Sequence, residues 1–456
     1  MDYLAFWMFP LLVVFLLTGY PVAFALGGSA VVFTVLFSDL LPTLGVLSFP
    51  WEPAFSARRL TILPQRIFGS IMDNYTLVAV PFFVFMGVML ERSGLAEDLL
   101  QTMGRLFGRM RGGLAISVVA VGALLAASTG VVGASVVTMT VLALPVMLKY
   151  GYDRGLASGT IAASGTLGQV IPPSIVLIIL GDQMTRVNVG DLFMGALLPG
   201  LVLASLYIVW IALYAYVKAD RAPAMPSVDE DFAVSNLGLA VARSLVPPLA
   251  LVAVVLGTIF MGIASPTEAG AMGAFGACIL AFLNGRLTLA NVTAVNEETV
   301  RLTSMVFIIL VGATAFAMVF NALGGHWIVE DFLSNLPGGK WGFLFLVMLT
   351  IFVLGFFLDF IEITFIVVPL VTPVAIRLGF DPVWFGVLIA MNLQASFLTP
   401  PFGFALFYLR GAAPPSVRTR DIYRGIVPFI AIQLLMLVVL VLFPELVLWL
   451  PGLAGN

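Results

Sequence analysis

Apolar residues run along this chain in blocks too long for soluble helices, and polar residues are largely confined to the gaps. A membrane-crossing helix needs about 20 apolar residues. The block from Leu4 to Phe37 is longer than one span and is broken at Thr18-Gly19-Tyr20-Pro21, so it predicts two short helices. Its start, MDYLAFWMFP, has neither a basic n-region nor a small-residue cleavage site after it, and reads as the first span, not a removed signal. A wetter stretch follows to about Asn74, with Pro42, Pro50, Pro53, Pro64, Arg58, Arg59 and Arg66. An interfacial loop with an in-plane helix fits it. The next span is predicted over Thr76 to Leu90, then a charged amphipathic arm over Glu91 to Arg111. Residues 113–148 are apolar but interrupted by AASTGVVGAS, with Arg109 and Arg111 before them and Lys149 and Arg154 after. Cations gather on the cytoplasmic side. A segment with both ends there is a hairpin that enters and leaves by one face. A span over 156–180, interrupted at Ile171-Pro172-Pro173, and another over 192–217 complete the first half.

A polar linker, 218–243, divides the chain, and the second half (244–456) repeats the order of the first (1–217). An apolar stretch from Leu245 to Leu283 is broken at Ser265-Pro266. Then come a polar loop (286–300), a span (302–323) and a charged arm (324–341). A second hairpin is predicted over 343–376 and a span over 383–409, interrupted at Thr399-Pro400-Pro401. A basic loop with Arg410, Arg418, Arg420 and Arg424 leads to the last span, 426–450.

The halves superpose without a gap. Residues 145–173 read PVMLKYGYDRGLASGTIAASGTLGQVIPP and residues 373–401 read PVAIRLGFDPVWFGVLIAMNLQASFLTPP, a constant offset of 228 (373 − 145 = 401 − 173). Pro145/Pro373, Gly151/Gly379, Asp153/Asp381 and both Pro-Pro pairs coincide. Matched Pro, Gly and Asp at one offset point to duplication rather than to shared apolarity. About five crossings per half make the copies inverted. The cations agree: starting the chain outside puts most of them inside and leaves Arg58, Arg59, Arg66, Arg186, Lys340 and Arg377 outside. Inverted repeats with interrupted helices are the mark of secondary transporters, whose sites lie near the midplane at the repeat interface.

Composition supports the membrane reading and removes several chemistries. The chain is 61% hydrophobic and 10% charged, with a mean hydropathy of +1.12, against roughly half apolar and about a quarter charged in soluble domains. A secreted disulfide scaffold, a disordered chain and a nucleic-acid binder are excluded, and a net charge of −3 suggests no charged partner. One cysteine, Cys278, allows no intrachain disulfide or cysteine metal cluster, and one histidine, His326, allows no bis-histidine haem or multi-histidine metal site. His326 reads as an interfacial loop residue. There is no P-loop, and no nucleophile–His–acid set presents itself, so an enzyme is disfavoured.

The breaks carry the candidate chemistry. Irregular backbone is tolerated in a membrane only inside protein or beside water. Here it is predicted at hairpin tips near 128–135 and 358–364 and at proline breaks near 171–174 and 399–403. Freed carbonyls with Ser, Thr or Asn oxygens make a hard-oxygen site for Na⁺, and free N–H groups at helix N-termini favour a carboxylate. The candidates for substrate are Ser128, Thr129, Gly130, Gly133, Ser135, Ser174, Thr399 and Gly403. Those for Na⁺ are Ser135, Thr166, Gln169, Pro172, Asp359, Thr364, Asn392, Ser396, Thr399 and Pro400. Gln394, Ser164 and Thr138 are further oxygen donors. Each has a plainer reading: small and hydroxyl residues also mediate helix packing. Asp359, in GFFLDFIEITF, serves equally as a helix cap, Glu362 is ambiguous, and Glu268 in SPTEAGA reads as an N-terminal cap.

Four stretches resemble the large membrane subunit of the TRAP (tripartite ATP-independent periplasmic, DctM-like) transporters. They are TGYPVAFALG (18–27), GVVGASVVTMTVLALPVMLKYGYDRGLASGTIAASGTLGQVIPPSIVL (130–177), GIASPTEAGAMGA (262–274) and FLDFIEITFIVVPLVTPVAIRLGFDPVWFGVLIAMNLQASFLTPPFGFALFYLRG (357–411). The resemblance implies an all-α polytopic fold of the ion transporter superfamily, with two inverted repeats and two re-entrant hairpins. It implies a transport domain of hairpins and broken helices that moves as an elevator against a scaffold formed by the rest. It implies Na⁺-coupled uptake of an organic acid and no organic cofactor. It further implies a small four-helix membrane subunit on a separate chain, a periplasmic substrate-binding protein, and residence in a bacterial or archaeal inner membrane with both termini periplasmic. Many members carry an acid shortly after the first tip, where this chain has Thr138. The alternatives are a stand-alone Na⁺-coupled organic anion symporter and, from another class, a structural or enzymatic membrane subunit.

Overall fold

Long apolar blocks have no competitor for their backbone hydrogen bonds in lipid, so they close into helices. In the computed structural model, which describes residues 4–40, 57–129, 132–225 and 237–454, there is no strand among those residues. Among the described residues six helices are long and apolar enough to cross a bilayer, or eight if each of two bent pairs is one span.

The chain opens with α1 (Met8–Leu17) and α2 (Val22–Val35), parted at the TGYP turn where Gly19 has φ +83°. Most of the predicted interfacial loop, 41–56, lies outside the described residues. Its later part forms a short 3₁₀ turn and α3 (Leu63–Ile67), set 61° from the span that follows, α4 (Ala79–Arg92). The charged arm is α5 (Leu95–Phe107), opened by Gly94 in the left-handed region. Two antiparallel helices, α6 (Gly113–Thr129) and α7 (Val132–Lys149), make the first hairpin. Then come α8 (Arg154–Thr166), α9 (Ile175–Gln183) and the 29-residue α10 (Val189–Val217).

The second half runs α11 (Leu237–Phe260), α12 (Pro266–Leu283), α13 (Leu289–Ala322) and α14 (Gly325–Ser334). The second hairpin is α15 (Gly339–Leu354), α16 (Phe360–Ile366) and α17 (Val368–Arg377), the last two bent by 55°. It leads to α18 (Pro382–Leu398), α19 (Phe404–Ala412), α20 (Thr419–Leu442) and α21 (Glu445–Ala454).

The matched motifs fold alike. Gly151 (φ +80°) and Gly379 (φ +83°) stop α7 and α17 with the same left-handed turn. In each, the next residue reaches back five: Tyr152 N–H to Met147 O at 3.0 Å and Phe380 N–H to Ala375 O at 3.1 Å. That is the Schellman helix end, which glycine adopts without the penalty a Cβ would bring. The aspartate two positions later caps the following helix. Asp153 Oδ1 accepts from Leu156 N–H at 3.1 Å, and Asp381 Oδ1 from Val383 and Trp384 N–H at 2.9 and 3.0 Å. Glycine that ends one helix and aspartate that starts the next turn the chain tightly in both halves.

Four expectations from the sequence are corrected. The predicted loop 286–300 is mostly helix: α13 runs 34 residues, about 51 Å at 1.5 Å per residue. Its charges sit on a segment with no Gly or Pro to stop it, and Thr288 Oγ1 caps its start by accepting from Asn291 N–H at 3.2 Å. His326 is no loop residue; it lies in the first turn of α14 with Nδ1 buried and unpartnered. The linker is shorter than 218–243 because α11 begins at Leu237. The last predicted span, 426–450, is two helices: α20 begins seven residues earlier and ends at Leu442, just before Pro444.

Candidate functional site

Proline cannot donate to the carbonyl four residues back. Pro172 and Pro173 therefore offer no N–H to Gly168 and Gln169, and Pro400 and Pro401 offer none to Ser396 and Phe397. The helical ladder stops at both places: α8 gives way to a 3₁₀ turn over Leu167–Gln169 before α9, and α18 stops at Leu398 before α19. Both Pro-Pro peptide bonds are cis. Gly403, with φ +48°, opens α19 and restarts the chain where an added Cβ would stand 3.1 Å from the Phe397 and Thr399 carbonyl oxygens.

The two broken helices touch each other. Gln394 Nε2 donates to Thr166 Oγ1 at 3.4 Å across a separation of 228 residues, the offset of the sequence match. Corresponding positions of the two halves therefore meet. Each hairpin also packs on the helix beyond the break of the other half. Gly133, near the start of α7, faces α19, where an added Cβ would lie 3.0 Å from the Tyr408 ring. In turn α16 packs on α9. Tyr408 thus packs against the start of the first hairpin's second helix.

Most candidate hydroxyls are buried and already spend their proton. Thr166 donates to Ala163 O at 2.9 Å, Ser174 to Gln169 O at 2.8 Å, Ser396 to Leu393 O at 2.7 Å and Thr399 to Ala395 O at 2.8 Å. Ser164 donates to Ile161 O at 3.1 Å. A hydroxyl with its proton so used presents only lone pairs to a neighbour, which suits a cation. Asn392 Nδ2 donates to Met348 O on α15 at 2.7 Å, which holds the second hairpin to its broken helix. Four fully buried side chains keep unpartnered atoms: both amide atoms of Gln169, Gln394 Oε1, Thr364 Oγ1 and Thr160 Oγ1. Buried polar atoms are rarely left so, and such gaps mark places for water or an ion.

Other candidates are placed differently. Asp359 caps α16: its Oδ1 accepts from Phe360 N–H at 2.7 Å, and Glu362 Oε2 returns the favour to Asp359 N–H at 3.1 Å. Glu268 forms the same reciprocal box with Ser265 at the start of α12. Ser135 is buried in the first turn of α7. Ser128 and Thr129 end α6, but their side chains, like Gly130 entirely, lie outside the described residues. Pro172 and Pro400 serve as chain breakers. Sequence reasoning passed over Tyr408 and Thr160. It also missed Glu91, at the end of α4, whose carboxylate accepts from the Thr138 hydroxyl of the first hairpin. An acid at the end of an apolar run was the only signal for Glu91, and nothing in the spacing marked Tyr408.

Comparison with known proteins fits this architecture. Residues 9–446 match the family described as "Tripartite ATP-independent periplasmic transporter, DctM component". The C4-dicarboxylate TRAP transporter large permease protein DctM of Pseudomonas aeruginosa is 31% identical over 88% of this chain and 92% of its own. The isethionate TRAP transporter permease protein DctMQ of Oleidesulfovibrio alaskensis is 26% identical over 98% of this chain and 66% of its own. Among solved structures, the YdaH transporter of Alcanivorax borkumensis shares the fold, with a TM-score of 0.66 at 17% identity over 93% of this chain and 98% of that one.

Proposed function

We infer the working of this chain from one premise: it belongs to the family of DctM components of tripartite ATP-independent periplasmic transporters, and so is an integral membrane transporter subunit, not an enzyme. The reading is a Na⁺-coupled permease that takes up an organic acid by alternating access, from an inner membrane with both termini on the outer face. The observation that carries it is the meeting of the two broken helices at Thr166 and Gln394, at the offset of the sequence match, beside buried polar atoms that no protein group satisfies. Two halves related as inverted copies place such a seam at the midplane.

The division of labour follows from charge. The oxygens of Thr166, Gln169, Thr364, Gln394, Ser396 and Thr399, with carbonyls freed by the prolines, suit Na⁺. The N-termini of α9 and α19, beside Ser174 and Gly403, suit a carboxylate. Bound Na⁺ would offset the anion's charge, so each helps the other to bind. The hairpins and broken helices form the moving body. α20 travels with them, because its Gly425 sits so close to α8 that an added Cβ would lie 1.9 Å from Gly155 O. A small membrane subunit and a periplasmic binding protein complete the system. The substrates named for the two relatives, a C4-dicarboxylate and isethionate, are both organic anions, and the reading assigns selection among them to the binding protein.

The test is uptake into liposomes carrying this chain and the small subunit, with a binding protein loaded with candidate acids, with and without an inward Na⁺ gradient. Uptake should require both. Uptake indifferent to both overturns the reading. Uptake that needs Na⁺ but no binding protein makes the chain a stand-alone symporter.

A further inference from the structure

Away from the proline breaks, at the opposite end of α8, a cavity of about 690 Å³ opens where the end of α10 meets the starts of α8 and α20. Four cations line it: Arg154, Lys218, Arg221 and Arg424, all exposed. None has an ion-pair partner among the described residues. Two acids share the cavity, but both serve as helix caps: Asp153 accepts from Leu156 N–H and Asp421 from Arg418 N–H. The excess is thus two positive charges. The remaining wall is the end of a span. Trp210 and Tyr214 are half-buried there, Lys218 Nζ lies 5.2 Å from the Tyr214 ring centroid, and Leu213 and Val217 are 56% and 74% exposed.

Cations, interfacial aromatics and bare aliphatic side chains at one height of a membrane protein match one kind of molecule. We propose that this cavity binds an anionic diacyl phospholipid. Arg154, Lys218, Arg221 and Arg424 hold its phosphodiester, and its acyl chains lie along Leu213 and Val217 toward the bilayer. Basic pockets between spans suit anionic headgroups, and each Lys or Arg near the surface adds to the attraction. A free inorganic anion would use the cations but leave the aliphatic wall bare. The wall and the charge together therefore favour a lipid. The site is separate from the transport reading and stands or falls without it.

Native mass spectrometry of the full chain in detergent tests it, with dioleoyl-phosphatidylglycerol, dioleoyl-phosphatidylcholine or inorganic phosphate added. Phosphatidylglycerol should be retained well above phosphatidylcholine, and millimolar phosphate should not displace it. The double variant Lys218→Gln/Arg424→Gln should hold phosphatidylglycerol about 25-fold more weakly, from the loss of two interfacial charges. Arg420→Gln makes the same kind of charge change on α20 outside the cavity and should leave retention unchanged. Each single variant, expected to lose about fivefold, serves if the double variant does not fold. Equal retention by wild type and variants overturns the proposal, as does displacement by phosphate. A wild type that retains no phosphatidylglycerol also overturns it.

Discussion

At the scale of single residues, the buried amides of Gln169 and Gln394 are the most informative side chains. Burying an amide without partners costs a few kcal/mol, so a purely structural Gln169 would be better replaced by an isosteric apolar residue. Gln169→Leu should therefore keep or raise the melting temperature, while the Na⁺ concentration for half-maximal uptake rises about 10- to 100-fold, the worth of one hydrogen bond or ligand to a charge. Higher stability with unchanged Na⁺ dependence would remove Gln169 from the site. Gly425 makes the opposite kind of prediction. Its Cβ position collides with the backbone of α8, so Gly425→Ala should destabilise the protein by about 1–3 kcal/mol, read as a lower melting temperature in detergent. Gly257→Ala, whose Cβ meets nothing within 4 Å, should be neutral or slightly stabilising. The sequence showed the hydroxyls and amides because they interrupt apolar runs. It did not show Tyr408, because an aromatic residue on an apolar helix looks the same whether it fills the core or packs against a hairpin.

Among elements, the legible ones are those set by local chemistry. The proline breaks and the Ser265–Glu268 box follow from backbone rules and are where the sequence placed them, and the glycine–aspartate turns before α8 and α18 follow from the same rules at positions that the sequence had matched only as a pair. The illegible ones depend on what surrounds them. Residues 289–301 look like a loop because they are polar, yet nothing in them stops a helix, and capping by Thr288 lets α13 continue outward. Asp359 shows how an element can hide a function. As a cap it holds α16; on the proposed reading its charge also serves Na⁺. Asparagine caps about as well as aspartate, so Asp359→Asn keeps the cap and removes the charge, while Asp359→Ala removes both. On the proposed reading both variants lose Na⁺-driven uptake, and only the alanine variant also loses stability, by about 1 kcal/mol. Normal uptake by the asparagine variant would reduce Asp359 to a cap.

For the whole molecule, the match at an offset of 228 was visible in sequence because prolines, glycines and aspartates hold their spacing, and the structure gives the two matched glycine–aspartate turns the same local form. Which parts move was not visible, because motion depends on contacts between elements far apart in the chain. One such contact bridges the proposed moving body and the proposed scaffold: Arg377, at the end of α17, pairs with Glu330 on α14. The arginine side chain is 58% exposed, and pairs of that kind contribute about 1 kcal/mol or less, so Arg377→Gln should fold normally. An elevator must break this contact in every cycle. A covalent tie there should therefore stop transport without unfolding anything. With Cys278 replaced by serine, Glu330→Cys/Arg377→Cys should transport before treatment with a short bismaleimide and lose most uptake after it, while each single-cysteine control keeps its rate. Cross-linked protein that still transports at the untreated rate would show that α17 and α14 move together, and the boundary of the moving body would then lie elsewhere.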